Sequence, residues 1–485
     1  MQPLAFYNDL HTDYAALPKL TGLDIIVKVP ELGRRLKQAG FQKESDECFK
    51  IALGVLKKFA DTGNVQGALI VENMVYDAFV KTTEAEDHYY NCFKQWSGLL
   101  QTLGRKHRRA LRPRAGTRKI CFVLQAAVLL GHTEVMFTII DAWRALGIEA
   151  DIYVAAVGAI DPRFQTYLDK RNITFIPPSG PNGEELPLAD SVHMLRDRLE
   201  KLDVNTVVWA SSPTLASYAL AMKLAPRQVF WSVKFHPVYM QDVDVHLCGG
   251  HEVETARTYH GRPWTVSPFP LTIAFKENDP ADVRKIRESF PPDAILLGSL
   301  AREEKFNSPA FLMTVCGLLA RNPQAYFLWT GRSQPENVVA TFKNFGVADR
   351  CRFIGWVDTN AYAEALDVFL ETFPFGCGIT GFQAMVHETP LLSLQGMDML
   401  YGYQLHGAVA QQFKDMAIPR THFETLEILT AADPGHYIEL AQKLIDSESY
   451  RKEIGAREKA YAQKEQAAVQ RYAQRMWTNM TGLSA

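Results

Sequence analysis

Residues 367–385 read DVFLETFPFGCGITGFQAM, which is a short apolar run, a glycine-rich turn and the beginning of a helical pattern. The apolar run predicts a buried parallel strand. Gly376, Gly378 and Gly381 let the chain turn tightly and bring its backbone close to a ligand. In doubly wound sheets, ligands bind beyond the carboxyl ends of strands, where helix N-termini offer unpaired N–H groups to anions. We therefore predict an anion site at this turn.

The turn differs from the two common nucleotide-binding loops. No GKS or GKT follows its glycines, as a Walker loop requires, and it follows a late strand, unlike the GxGxxG of a Rossmann cofactor domain. The glycine backbone and the hydroxyl of Thr380 would suit a diphosphate. A purely geometric role for glycines in a tight strand-to-helix turn is the alternative that the sequence leaves open.

Short apolar runs alternate with amphipathic helices on both sides of this turn. One series begins at residues 294–301 (AILLGSLA), and an earlier one begins at residues 119–130 (KICFVLQAAVLL). Strict alternation predicts βαβ units and parallel sheets with helices on both faces. A proline-rich stretch, residues 263–292, separates the two series as a hinge would. We therefore predict two doubly wound domains, residues 117–270 and 293–485, facing each other across a cleft.

The two ends of the chain have helical patterns. Residues 1–112 carry apolar positions at intervals of three and four with no strand pattern, which predicts a separate α-helical domain. Residues 105–119 contain eight Lys or Arg and no acid, and Pro113 and Gly116 within them favour a linker. Residues 436–466 are predicted to form a helix that packs back across the domains. The predicted fold class is thus α/β, with two Rossmann-like domains behind an all-α domain.

Composition restricts the partners and the compartment. The chain has 485 residues, a formal net charge of −2 and a pI near 6.7, so it lacks the excess positive charge that binding to nucleic acid requires. Its seven cysteines are scattered without a CxxC pair, which indicates reduced thiols. The first residues lack the basic region and following apolar stretch that are typical of a signal peptide, and no run of ~18 or more uncharged apolar residues occurs. These features predict a cytoplasmic protein with no membrane span.

The second series resembles the sugar-nucleotide-binding half of GT-B glycosyltransferases. The likeness runs from Ala294 to about Leu444 through LGSLAREEKFNSPAFL, PQAYFLWTGR, CRFIGWVD, DVFLETFPFGCGITGFQAM and HETPLLSLQG. Within this fold the chain is most similar to the O-GlcNAc transferase group, especially the bacterial cytoplasmic N-glycosyltransferases that modify adhesin asparagines. Their donor loop also reads FPFG, and they carry an α-helical domain ahead of the two nucleotide folds. The resemblance implies a GT-B fold and UDP-sugar as the donor.

The resemblance also implies which residues bind the donor. Lys305 would hold the diphosphate and supply the charge that a metal would otherwise provide, so neither a metal nor a separate cofactor is expected. Asp398 would contact the ribose, because Gln383 stands where related enzymes have an acid. The uridine would lie against residues 353–357 (FIGWV). The remaining expected donor contacts come from the glycine-rich loop and from this segment, namely Gly376, Gly378, Ile379, Thr380, Gly381, Phe353, Gly355 and Trp356.

Histidines are the candidates on the acceptor side. His132 follows the first strand of residues 117–270 and is predicted to act as a base or as a hydrogen-bond partner of the donor, with an unperturbed pKa near ~6.5. A structural hydrogen bond is the alternative for His132 and also for His236, for which we consider a cleft position. The spacing of His236, His246 and His251 matches no zinc signature, and two nearby aspartates in a DVD triplet are discounted as a metal site.

These patterns favour transfer of a hexose or N-acetylhexosamine from a UDP-sugar to a protein side chain, Asn or Ser/Thr. Recognition of the protein acceptor by the helical domain rests on the resemblance alone. Two alternatives stay open from the sequence. One is a GT-B transferase or a sugar-nucleotide epimerase acting on a non-protein substrate, and the other is a catalytically degenerate binding module.

Overall fold

The structure is a computed structural model, and its architecture consists of a helical region followed by two sheets with helices on both faces. The described residues are 4–38, 40–80, 86–111, 118–129, 131–180, 182–233, 238–250, 252, 254–269, 277–306, 308–373, 376, 378–395 and 419–484.

The helical region contains five α-helices. They are α1 (Leu4–Ala16), α2 (Leu23–Gln38), α3 (Gln42–Asp61), α4 (Val65–Val75) and α5 (Glu86–Lys106). Helix α3 shows why they pack together, because Cys48, Ala52, Leu56 and Ala60 recur every four residues and are all buried. Asn64 caps the start of α4 by accepting the backbone N–H of Gly67, and α4 continues directly into a π-helical turn. This region agrees with the predicted all-α part of the fold.

The first sheet has eight strands and four helices in the described residues. They are β1 (Lys119–Leu124), α6 (Gly131–Ala145), β2 (Asp151–Ala156), α7 (Pro162–Asp169), β3 (Thr174–Ile176), α8 (Leu188–Lys201), β4 (Thr206–Trp209), α9 (Ala216–Ala221), β5 (Arg227–Ser232), β6 (Val245–Cys248), β7 (Ala256–Tyr259) and β8 (Arg262–Val266). Their order is β3-β2-β1-β4-β5-β6-β8-β7, and every neighbouring pair is parallel except β7 with β8. The alternation of strands and helices does not predict this antiparallel hairpin at the edge of the sheet, because β7 and β8 follow each other without a helix between them.

The second sheet has six parallel strands in the order β11-β10-β9-β12-β13-β14. Its elements are α10 (Pro280–Glu288), β9 (Ile295–Ser299), α11 (Pro309–Arg321), β10 (Ala325–Trp329), α12 (Glu336–Asn344), β11 (Cys351–Phe353), α13 (Thr359–Ala365), β12 (Val368–Leu370), α14 (Ile379–Val386), β13 (Leu391–Leu394), α15 (Arg420–Glu424), β14 (Thr430–Ala431), α16 (Pro434–Asp446), α17 (Glu448–Ala467) and α18 (Val469–Thr481). The predicted fold class is therefore confirmed. The proline-rich stretch is more than a bare hinge, since β8 and α10 lie within it.

Each sheet has one point where the direction of winding reverses. In the first sheet the chain adds β2 and β3 on one side of β1 and then places β4 on the other side. In the second sheet the same reversal separates β9 from β12. We call these two positions the first and second switch points. Ligands of open α/β sheets bind beyond the carboxyl ends of strands at such points.

The last helix, α18, crosses from the second sheet to the first. Trp143 of α6 donates its Nε1 hydrogen to the Ala473 carbonyl over 2.7 Å, and the Arg227 guanidinium donates to the carbonyl of Met480 over 2.6 Å. The last helix is therefore hydrogen-bonded to the first sheet domain, although it follows the second in the chain.

The described residues also bear on membranes and thiols. Among them, no helix combines the length and the apolar character that crossing a membrane requires. Six of the seven cysteines lie in the described ranges, and all six are free thiols. Burial raises the pKa of Cys48 to about 11 and that of Cys351 to about 12, so these thiols are poor nucleophiles at neutral pH.

Candidate functional site

The second switch point brings together the segment after β9 and the glycine-rich turn after β12. The Ser299 hydroxyl at the end of β9 donates to the Leu370 carbonyl at the end of β12 over 2.5 Å, so the two strand ends are joined directly. Beyond β12, the Tyr437 hydroxyl donates to the Glu371 carbonyl over 3.0 Å. The turn therefore leaves a fixed strand end before it reaches α14.

Gly378 determines how the turn enters α14. It precedes the first helical residue and has φ 59° and ψ −121°, a combination that side-chain-bearing residues rarely adopt. The first N–H groups of a helix have no partner within the helix, and the positive end of the helix dipole lies there. The start of α14 is thus chemically suited to an anion, and the anion site that the sequence predicts at this turn stays a prediction.

Lys305 lies beside this turn, in a short 3₁₀ turn that follows β9. Its ammonium group donates a hydrogen bond to the carbonyl of Gly376 and is half-buried. The structure therefore brings together two predicted site residues that are far apart in the chain. The ammonium group provides a positive charge within reach of the start of α14.

Thr380 differs from its prediction in one respect. Its hydroxyl was expected to serve as a donor to a diphosphate, but it donates to the carbonyl of Leu300 over 2.7 Å. This bond connects the second residue of α14 to the segment after β9. The hydroxyl can therefore donate to a ligand only after it gives up the Leu300 carbonyl. Gly381 and Phe382 already direct their N–H groups at the Gly378 carbonyl, over 3.0 and 3.4 Å.

The predicted uridine segment ends β11 at the same edge of the sheet. The ring of Phe353 lies 4.7 Å from that of Trp329, and Phe353 is half-buried. The carbonyl of Gly355 accepts the N–H of Gly331 over 3.3 Å. Trp356 is 60% exposed, and the guanidinium carbon of Arg332 lies 5.3 Å from its ring centre. An exposed indole beside an arginine offers a flat surface on which a nucleobase could stack.

The first domain meets this site at the start of α6. A Cβ atom built on Gly131 would lie 3.1 Å from Cδ1 of Ile379, so the starts of α6 and α14 touch across the cleft. Thr133 fixes the approach of α6 by donating its hydroxyl to the Val128 carbonyl over 2.9 Å. His132 lies between these two residues and therefore at the boundary between the domains.

The pKa of His132 lies below the ordinary value of a histidine. Burial, and then the positive charge of Arg302, lower its pKa to about 4 instead of leaving it near its ordinary value of 6.5. The imidazole is therefore neutral at neutral pH and is a weak base. Arg302 follows β9 and has an exposed side chain, so it adds a second cation to the one on Lys305. Sequence reasoning missed Arg302, although it stands three residues before Lys305 in REEK.

Several predicted site residues lie outside the described residues. They are His236 and Asp398, together with Pro374, Phe375 and Cys377 of the glycine-rich turn. Gln383, which replaces the acid of related enzymes, is described, and its side-chain oxygen accepts the Thr359 hydroxyl over 2.8 Å. Gln383 thus joins α13 to α14.

Two features considered for metal binding have other partners. Asp242 accepts hydrogen bonds from Arg105 and Arg108 over 2.9 and 3.1 Å, and Asp244 accepts the N–H of Gln228 over 2.7 Å. His246 is buried and accepts the N–H of Met240 over 3.1 Å. In the part of the chain that the structure describes, no group of three His, Cys, Asp or Glu side chains could hold a metal ion.

Comparison with known proteins gives a likeness of fold. No protein-family model matches the chain, and no curated protein sequence gives a significant match. A mutant of the O-GlcNAc transferase of Thermobaculum terrenum is 12% identical with a TM-score of 0.54, and the likeness covers 96% of this chain and 99% of that one.

Two further solved structures are similar over about three quarters of this chain. A glycosyltransferase of Rickettsia africae is 12% identical with a TM-score of 0.53, covering 76% of this chain and 100% of its own. TarM of S. aureus, solved with fondaparinux, α-GlcNAc-glycerol and UDP, is 9% identical with a TM-score of 0.50, covering 75% and 99%. The chain therefore has the GT-B fold, with a helical region ahead of its two Rossmann-like domains.

Proposed function

We propose that this protein is a glycosyltransferase that moves a hexose or N-acetylhexosamine from a UDP-sugar to an Asn, Ser or Thr side chain of a protein, releasing UDP. One observation carries the proposal. Lys305 is hydrogen-bonded to the glycine-rich turn at the second switch point, and this turn touches the start of α6 across the cleft. A cationic, N–H-rich site that faces a second domain suits a diphosphate leaving group and a second substrate.

The charges of the site match the bond changes of sugar transfer. The acceptor nitrogen or oxygen bonds to the anomeric carbon and loses its proton to water or to the His132 imidazole. The bond from that carbon to the β-phosphate oxygen breaks, and negative charge collects on UDP. Lys305, Arg302 and the start of α14 would stabilise that charge, a contribution that typically reaches several kcal/mol. With cations in these positions, we propose a metal-independent reaction.

His132 contributes as a neutral imidazole under this proposal. A base whose pKa is about 4 takes up an acceptor proton poorly at neutral pH, so a hydrogen bond to the sugar or the acceptor suits it better. A diphosphate bound beside Arg302 would offset the positive charge that lowers the pKa of His132. Donor binding would then raise this pKa and make the imidazole a better base.

UDP is the proposed nucleotide for two reasons. Trp356 and Arg332 provide an exposed stacking surface near the diphosphate site, and a structure of similar fold holds UDP. We propose that the helical region recognises the protein acceptor. The likeness to the O-GlcNAc transferase structure extends over 96% of this chain and so includes this region. The protein is further proposed to act in the cytoplasm, where its free thiols would stay reduced.

The test is a thermal-shift and hydrolysis screen over UDP-, GDP- and TDP-sugars, followed by intact-mass analysis of candidate acceptor proteins. We expect UDP to raise the melting temperature, a UDP-sugar to release UDP slowly, and an acceptor to gain the mass of one sugar. Conversion of the UDP-sugar into an epimer without release of UDP would identify an epimerase. If UDP neither binds nor is released, a catalytically degenerate binding module would be the better interpretation.

A further inference from the structure

The first switch point carries a hydrogen-bond network of uncharged side chains. Gln125 directly follows β1, and Ser212 follows β4. The Ser212 hydroxyl donates to the side-chain oxygen of Gln125 and also lies 2.7 Å from the Thr214 hydroxyl. The ends of β1 and β4 are therefore joined by side chains at the position where an open α/β sheet binds its ligand.

The helical region contributes to this network through two consecutive residues of α4. Asn73 accepts a hydrogen bond from Nε2 of Gln125 over 3.1 Å, beyond β1. Glu72 accepts the backbone N–H of Leu215 over 2.9 Å, beyond β4, and the indole N–H of Trp96 over 3.2 Å. Helix α4 thus contacts both loops that border the first switch point.

The backbone is irregular on both sides of this contact. Leu215 has φ 67°, a left-handed conformation that is costly for a branched side chain, and Glu72 satisfies its N–H there. Helix α4 changes into a π-helical turn at Tyr76, soon after Asn73, and such turns occur frequently at functional sites. Both irregularities lie where the helical region meets the first switch point.

The orientation of the Gln125 amide follows from its two partners. Its oxygen accepts from Ser212 and one Nε2 hydrogen goes to Asn73, which leaves the second Nε2 hydrogen in this orientation of the amide. Among the described residues, no protein atom accepts the second Nε2 hydrogen. Gln125 is half-buried, so this hydrogen can reach a ligand beyond β1.

We infer that Asn73 is a positioning residue for the acceptor: it fixes the Gln125 amide so that its second Nε2 hydrogen binds a carbonyl of an uncharged acceptor peptide at the first switch point. This inference rests on the proposed transfer to a protein. Both carboxyl oxygens of Glu72 already accept the N–H groups of Leu215 and Trp96, and the other side chains in the network are amides and hydroxyls. The cations Lys305 and Arg302 lie on the donor side. A neutral peptide segment therefore fits the network better than an acidic or phosphorylated one.

The experiment compares three variants with the wild type. Asn73→Ala removes the oxygen that holds Gln125, whereas Asn73→Asp keeps an oxygen at that position. Gln66→Ala is the matched control, because Gln66 also lies on α4 and accepts a hydrogen bond from the first domain, the Ala189 N–H over 2.8 Å, but away from the switch point. The probes are UDP in thermal shift and a capped neutral pentapeptide containing Asn, Ser and Thr in sugar transfer.

We expect Asn73→Ala to raise the KM for the pentapeptide about three- to tenfold, the effect of losing one hydrogen bond, with a smaller change in kcat. Asn73→Asp should recover most of this loss, and Gln66→Ala should match the wild type. The UDP-induced thermal shift should be the same in all four proteins.

Other outcomes overturn the inference. An equal KM for Asn73→Ala and Gln66→Ala would do so, as would failure of Asn73→Asp to recover. Transfer to maltotriose but not to the pentapeptide, with UDP still binding, would assign the first switch point to a glycan and leave the donor site intact. Absence of any UDP shift in the wild type would instead contradict the proposed function itself, and the inference with it.

Discussion

At the scale of single residues, the cleft combines two cations with one neutral imidazole. Lys305 and Arg302 follow the same strand of the second domain, and His132 begins a helix of the first domain. The positive charge of Arg302 helps to lower the pKa of His132, which shows that the two domains interact electrostatically across the cleft. A charged ligand bound beside Arg302 in the second domain would therefore change the pKa of His132 in the first domain.

Replacing Lys305 should remove the proposed activity without unfolding the protein. Lys305→Ala deletes a positive charge beside the glycine-rich turn, and loss of one such group typically lowers kcat by about a hundredfold or more. The measurement is UDP release from the UDP-sugar, with the melting temperature as the test of folding. Lys343→Ala, an exposed lysine of the same domain, should keep wild-type activity. Wild-type turnover in Lys305→Ala would show that the donor site is misassigned.

His132 should make the protein less stable as the pH falls from 6.5 to 4. In this range the unfolded chain takes up a proton at His132 that the folded protein, with a pKa of about 4, does not bind. The free energy of unfolding therefore decreases with decreasing pH. His132→Asn should reduce this dependence by at most about one proton per molecule, measured by urea unfolding between pH 4 and 7.

His246 provides the internal comparison for that measurement. Burial lowers its pKa to about 4 as well, so the His132→Asn protein should keep part of the acid sensitivity. An unchanged pH dependence in His132→Asn would mean that the imidazole is protonated equally in the folded and unfolded states.

At the scale of elements, one close helix contact helps to attach the helical region to the first domain. Helix α5 packs against α9 of the first domain, and a Cβ atom added to Gly104 of α5 would lie 2.4 Å from the Tyr218 carbonyl oxygen. That distance is shorter than any real contact, and the obstacle is backbone. The periodicity of α5 is visible in the sequence, but the need for glycine at this position is not, because Tyr218 belongs to another part of the chain.

Gly104→Ala should therefore destabilise the protein. The two helices must separate to admit the methyl group, and such overpacking typically costs about 1 to 3 kcal/mol. Gly98→Ala in the same helix is the matched control, since a Cβ there meets nothing within 4 Å and alanine favours a helix by roughly 0.5 to 1 kcal/mol. Thermal unfolding should give opposite shifts for the two variants. A shift of the same sign and size would contradict the α5–α9 contact.

At the scale of the whole molecule, the last helix follows the second α/β domain in the chain and packs against the first. Trp477 of α18 is fully buried, and its ring lies 5.2 Å from that of Trp143 on α6. Arg475 of the same helix donates to the carbonyl of Val266 at the end of β8 over 2.7 Å. The final helix thus belongs by packing to the first domain, although it follows the second in the chain.

Trp477→Ala should destabilise the first domain even though the substitution lies near the end of the chain. Removing a fully buried indole leaves a cavity and typically costs about 3 to 5 kcal/mol. Arg471→Ala on the exposed side of the same helix removes an ion pair with Glu252 and a cation–π contact with Tyr472, and it should cost less than about 1 kcal/mol. Urea unfolding followed by tryptophan fluorescence measures both. A loss of stability in Trp477→Ala as small as that in Arg471→Ala would show that α18 does not stabilise the first domain.

The sequence by itself determined the helical region, the two alternating series and the position of the glycine-rich turn after a late strand. Such features follow from local periodicity, and the carboxyl end of a strand is known once the strand is known. Two predicted site residues, Asp398 and His236, lie outside the described residues. The ribose contact of Asp398 and the cleft position of His236 therefore stay predictions.

Only the tertiary structure decided which distant residues meet. It paired Lys305 with Gly376, directed the Thr380 hydroxyl to Leu300, brought Arg302 close enough to alter His132, and joined Asn73 of the helical region to Gln125. These contacts depend on how three separately patterned segments pack against one another. A hydrogen bond or a pKa depends on distance through space, and distance through space between remote residues is not encoded in local periodicity.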